Sequence, residues 1–94
     1  MRPPKGLLSV VVEESGDVVH VHADKAGLAH LAEALEVLRA SLERGECDHV
    51  HLKSNSWGGF DLTETRIDSE SSAEQVHHLE IFAWTPEWKE KHQL

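Results

Sequence analysis

The stretch Asp24-Lys25-Ala26-Gly27-Leu28-Ala29-His30-Leu31-Ala32-Glu33-Ala34-Leu35-Glu36-Val37-Leu38-Arg39-Ala40-Ser41-Leu42-Glu43-Arg44-Gly45 decides the architecture. Leu28, Leu31, Leu35, Leu38 and Leu42 recur at spacings of 3, 4, 3 and 4, which draws one apolar stripe along a helix. Ala29, Ala32, Ala34 and Ala40 add helix propensity. Asp24 stands at the N-cap, where a carboxylate accepts orphan backbone N–H groups. Gly45 supplies the stop, with Arg44 at the negative end of the helix dipole. A helix of about twenty residues extends ~30 Å, enough to cross a small sheet. The repeat also suits a coiled coil, but it covers barely two heptads, which favours packing on a sheet.

The flanking segments are read as strands. Residues 7–13 are rich in β-branched side chains, Glu14-Ser15-Gly16-Asp17 is turn chemistry, and Val18-Val19-His20-Val21-His22 alternates at period 2. Together they predict a β-hairpin. Beyond the helix, Asp48-His49-Val50-His51-Leu52 alternates again, and Asn55-Ser56-Trp57-Gly58-Gly59 breaks the pattern. Phe60-Asp61-Leu62-Thr63 and Thr65-Arg66-Ile67 read as short strands and residues 68–75 as a polar loop. Residues 76–84 read as a long final strand, with Leu79, Ile81 and Ala83 on one face and His78, Glu80, Phe82 and Trp84 on the other. Thr85 and Pro86 then open a short helix as N-cap and first residue. The expectation is an α+β two-layer sandwich. It has one mostly antiparallel sheet of four to five strands, one long helix on one face and a short C-terminal helix.

Composition bounds the function. Ninety-four residues fit a single domain, 1–94, with residues 1–6 as a flexible lead-in. Nine basic against seventeen acidic residues leave a net charge of −8, which argues against nucleic acid and an anionic membrane as partners. A single cysteine excludes an internal disulfide and a cysteine-rich zinc ribbon. The apolar runs Leu7-Leu8 and Val10-Val11-Val12 are too short for a signal peptide or a membrane span, so a cytoplasmic location is expected. Eight histidines make the net charge unusually pH-sensitive near neutrality.

Helix and strand patterns together turn Val19, Val21, Val50, Leu52, Leu79 and Ile81 toward the helix and His20, His22, His49, His51 and His78 away from it. Two H-x-H pairs place imidazoles roughly 6.5–7 Å apart along each strand. On neighbouring strands, His20, His22, His49 and His51 can hold zinc, iron or nickel, with Glu80 as a carboxylate ligand. The plainer account is a solvated polar sheet face, since no H-E-x-x-H or Cys/His spacing accompanies them. A third is an interface in which imidazoles mix with Phe82 and Trp84. Crowded imidazoles on one open face would lower stability below about pH 6.

Trp57, at a loop tip beside two glycines, is either a binding anchor or a lid folded on the core edge. Residues 61–75 hold Asp61, Glu64, Asp68, Glu70 and Glu74 against Arg66 alone, either a solvated loop or an acidic surface that steers a basic partner. No G-x-S-x-G elbow marks a nucleophile. Cys47, two residues before His49, reads as packed rather than reactive. Gly58-Gly59 is too short for a phosphate loop. No catalytic residue and no cofactor is implied.

Asp24, Gly27 and Leu28 at the helix start, Asp48-His49-Val50-His51-Leu52, Trp57-Gly58-Gly59, Leu62-Thr63 and Val76-His77-His78-Leu79 together resemble the immunity protein 32 family of bacterial polymorphic toxin systems, over residues 17–84. The resemblance implies a small cytoplasmic α+β protein that binds and inactivates a cognate toxin, often a nuclease, without catalysis. On that reading Trp57, Trp84 and Trp88 are aromatic anchors, and Asp61, Glu64, Asp68, Glu70, Glu74 and Glu80 supply complementary charge. The alternatives are a metal-binding domain or metalloenzyme built on the H-x-H strands, and a homodimer that pairs its open sheet face.

Overall fold

The helix forms where expected and is latched at both ends. In a computed structural model that describes residue 4 and residues 6–94, α1 spans Lys25–Glu43. The lead-in expected at residues 1–6 lies, apart from Pro4 and Gly6, outside the described residues. Asp24 caps α1: one carboxylate oxygen accepts the N–H of Gly27 at 2.8 Å and of Leu7 at 3.0 Å, and its own N–H donates to the Leu7 carbonyl at 3.1 Å. Gly27 is buried so closely against this segment that a Cβ would collide with the Leu7 carbonyl. At the other end the buried Ser41 hydroxyl donates to the Asp48 carboxylate at 2.7 Å. Gly45 then turns the chain with φ +75°, in the left-handed region that favours glycine.

Among the described residues five strands form, on the β-branched run, on the three alternating segments and, at residues 74–75, inside the span read as a polar loop. Strand β1 (Leu8–Val12) lies between β2 (Val19–Ala23) and β4 (Glu74–Gln75), and β3 (Asp48–Lys53) pairs with β5 (His78–Ala83), all antiparallel. The α+β class, the hairpin β1–β2 and the terminal helix α2 (Pro86–Lys91, capped by Thr85) agree with the sequence reading. Its single sheet is instead divided into three strands and two. The long final strand is split at Val76 and His77. Successive residues of an extended chain aim their backbone groups to opposite sides. Val76 therefore donates to Val10 of β1 at 2.8 Å, while the His77 carbonyl accepts from Ser54, just past β3, at 2.9 Å. No strand forms at residues 60–63 or 65–67. Leu62 makes only an isolated parallel bridge with Ser54, and Thr63 donates to the Leu8 carbonyl at 2.8 Å. Here the Asp61 carboxylate, not a backbone carbonyl, accepts the Lys53 N–H at 2.9 Å.

Leu8, Val10, Leu52 and Leu62 form the centre of the core, with Leu31, Ala34, Val76, Leu79 and Ile81 packed around them. The buried line of α1 runs through Gly27, Leu31, Ala34, Leu38 and Ser41, rotated from the leucine stripe. Its closest approach is made by its smallest residue, so Leu28, Leu35 and Leu42 remain on the surface. On β3 and β5 the expected segregation holds: Leu52 is buried, Val50, Leu79 and Ile81 are half-buried, and His49, His51, Glu80 and Phe82 are exposed. On β2 it fails. Val21 is 52% exposed, whereas His20 and His22 are half-buried. β2 is an edge strand, and its histidine face lies against Glu70 of the segment 65–75. With that segment as cover, β1 is buried from both sides: Leu8 and Val10 in the core, Ser9 and Val11 under Thr65 and Gln75.

Leu38→Ala is expected to cost about 2–4 kcal/mol in a chemical-denaturation series, and Leu35→Ala, at a surface position, less than about 1 kcal/mol. Gly27→Ala is expected to cost about 2 kcal/mol or more despite its gain in helix propensity, because the added methyl group forces α1 away from Leu7. Equal costs for the two leucine variants, or a stabilised Gly27→Ala, would contradict this docking of the helix.

Candidate binding face

The face of β3–β5 turned away from α1 carries a continuous row of rings. Trp57, closing a 3-10 turn at Asn55–Trp57, stacks on His77 with ring centres 5.7 Å apart and planes 1° from parallel. The row continues through His78, His51, His49 and Phe82, with His78–His51 centres 5.0 Å apart, His51–His49 4.8 Å and His49–Phe82 5.5 Å. Phe82 stacks on Trp84 at 5.3 Å, Trp84 on Trp88 of α2 at 3.7 Å, and Trp88 meets His92 at 3.9 Å. The row follows from period-2 alternation on two antiparallel strands in register, His49 opposite Phe82 and His51 opposite Glu80. Trp57 is 58% exposed and Phe82 49%. Trp57 therefore does not fold into the core. Its ring is fixed by stacking and still offers most of its surface.

The acidic residues separate into three groups. Glu64 and Glu80 border the ring row: Glu64 pairs with His77 at 2.9 Å, and Glu80 lies 3.7 Å from His51 and 3.5 Å from His78. Asp68 and Glu74 are exposed near the β1–β2 turn, where Glu13, Glu14, Glu70 and Glu74 line adjoining open clefts. Asp61 and Glu70 are held by internal partners. Asp61 bonds His30 of α1 at 2.7 Å and the Lys53 N–H. Glu70 is only 4% exposed and meets His22 at 2.8 Å and the Ile67 N–H at 3.2 Å.

The four histidines expected as metal ligands do not come together. His20 and His22 lie on β2, in one sheet, and pair with Glu13 and Glu70; His49 and His51 lie on β3, in the other. Cys47 is exposed rather than packed, with its sulfur 3.6 Å from the Thr85 hydroxyl at the start of α2. Sequence reasoning left out His77, which supports Trp57, and Glu13 and Glu14 at the clefts. The doublet His77-His78 was the available signal, but which sheet each ring joins depends on the break in the final strand.

The Glu70 carboxyl is held below the usual range, chiefly by the His22 hydrogen bond, against burial, which pushes it up; the Ile67 N–H and both nearby imidazoles also lower it. Asp24 is lowered by the N–H groups of Gly27 and Leu7, and Asp48 by the Ser41 hydroxyl and the His49 N–H. A carboxyl lowered in the fold adds stability above its ordinary value, and this is lost as pH falls through the lowered one. These three contributions should therefore be fully present from neutrality to about pH 5 and be lost progressively below about pH 4, as each carboxyl passes its lowered value. Glu70→Gln should lower the melting temperature at pH 7, with the gap closing toward pH 3. A gap as large at pH 3 as at pH 7 would refute this role for Glu70.

Residues 18–80 match the family model described as Immunity protein 32. Neither a curated protein nor a solved structure shows significant similarity to the chain. The matched span runs from β2 to the first half of β5 and includes Trp57, His77, His78 and Glu80, whereas Phe82, Trp84 and Trp88 lie beyond it. With two thirds of its length matched, and with the strand–helix–strand order that its motifs led us to expect, the chain belongs to the Immunity protein 32 family.

Proposed function

We propose that the protein binds and neutralises a cognate bacterial toxin in the cytoplasm of the producing cell, by occluding the toxin rather than by catalysis. The observation that carries this reading is the exposed ring row on the helix-free face of β3–β5, in a chain of an immunity family. Rigid, half-exposed aromatics bordered by charge are what a tight protein interface uses as anchors. Trp57, Phe82 and Trp84 are the anchors, with Glu64 and Glu80 at their border. Asp68 and Glu74 act at longer range, with the net charge of −8, to steer a basic partner. A nuclease is such a partner, because a surface that grips phosphates is basic. Asp61 and Glu70 serve the fold and leave the docking set.

The test is calorimetric titration against the cognate toxin, sought first among the products of neighbouring genes. Trp57→Ala and Phe82→Ala should each weaken binding by about tenfold or more. Raising salt from about 50 to 500 mM should slow association, with a smaller effect on dissociation. Unchanged affinity in both variants would remove the ring row from the interface. Sedimentation of the free protein separates a further outcome: a dimer dispersed by Phe82→Ala would assign the row to a second copy of the chain.

A further inference from the structure

The middle of the ring row holds two imidazoles and a carboxylate that meet as one compact group. His51 Nδ1 and His78 Nε2 are 2.7 Å apart, and one carboxylate oxygen of Glu80 lies 3.7 Å from the first and 3.5 Å from the second. Three ligand atoms of metal-binding type thus converge on one point, all within 4.8 Å of one another. The register creates this group: His51 lies directly opposite Glu80, and His78 is two residues from Glu80 on the same face of β5. Neither strand alone supplies it. From the structure we infer that His51, His78 and Glu80 form a site for a borderline-soft divalent ion of the zinc type, distinct from the four-histidine set expected of the H-x-H strands.

The chemistry suits such an ion. Two imidazoles and one carboxylate are a ligand set for zinc, copper, nickel or iron, whereas calcium and magnesium require mostly oxygen ligands. Ligand atoms about 2.0–2.1 Å from a tetrahedral ion stand about 3.3 Å apart, so both separations from Glu80 are near the required value. The two nitrogens must part by roughly 0.6 Å, a small ring rotation on an open face. When an ion enters, whichever ring carries the shared proton moves it to its other nitrogen, so that both lone pairs face the metal. Trp57 lies across His78 with ring centres 6.4 Å apart, which limits the orientations of that ring. Three protein ligands leave a fourth position open to water or to a side chain of a bound partner.

Zinc chloride titrated into the metal-free full-length protein tests the site without any toxin, so its result stands apart from the docking reading. One equivalent should bind with a dissociation constant of about 10 µM or tighter. His51→Ala, His78→Ala and Glu80→Gln should each weaken it by roughly tenfold or more. His20→Ala and His92→Ala should leave it unchanged, and far-ultraviolet circular dichroism would verify that every variant keeps its fold. Calcium and magnesium should give no binding. Lack of zinc binding up to about 100 µM, or binding that survives the His51→Ala/His78→Ala double change, would overturn the assignment. Loss of binding in His20→Ala would do the same by moving the ion to β2.

Discussion

The arrangement of the molecule depends on the contact between the backbone of Gly27 and the carbonyl of Leu7, sealed by the Asp24 carboxylate. One carboxylate oxygen serves two N–H groups, one at the start of the helix and one at the start of β1, so the cap of α1 is also a tertiary clamp. Because the approach allows no side chain, α1 must turn its glycine edge inward. The line of contact then passes through Leu31, Ala34 and Leu38 to Ser41, where a second clamp to Asp48 fixes the far end. A helix held at both ends can shield only one side of β3 and β5. The other side is left for the rings.

The same economy explains β1. Its run Leu8-Ser9-Val10-Val11-Val12 does not alternate, because the strand is covered twice, by the core on one face and by residues 65–75 on the other. A polar segment can provide such a cover only if its own groups are paired. Ser9, buried, exchanges hydrogen bonds with Thr65, and Gln75 reaches both Ser9 and the Val10 carbonyl. Glu70 meets His22. Histidines on β2 thereby become half-buried against Glu70, whereas His49 and His51 of β3 stay exposed and His78 of β5 is half-buried within the ring row. One residue type in one alternating pattern has two fates, decided by what lies above each sheet.

Two of the five acidic residues at 61–75 are diverted in the same way. Asp61 and Glu70 are consumed by imidazole and backbone donors, while Glu64, Asp68, Glu74 and Glu80 keep contact with solvent. Charge density along the chain could not distinguish these groups. Distinguishing them requires knowing that the 59–62 loop folds back onto Lys53 and that residues 67–73 close over β2. The ring row was legible in part: Trp57, Trp84 and the outward imidazoles of β3 follow from loop position and alternation. Its continuity, and the place of His77 beneath Trp57, do not, because both depend on the register of β3 against β5 and on the two-residue switch between sheets.

Local chemistry determined what could be settled within a few residues: the caps and extent of α1, the Thr85-Pro86 start of α2, the hairpin turn and the faces of β3 and β5. These are short-range contests between backbone geometry, capping and period, and each is decided by adjacent side chains. Tertiary structure alone decided the division of the strands into two sheets, the rotation of α1 about its axis, the burial of Glu70 against His22, and the meeting of His51, His78 and Glu80. In each case the deciding partner is distant in sequence, and its position is set by close packing, which no local pattern encodes.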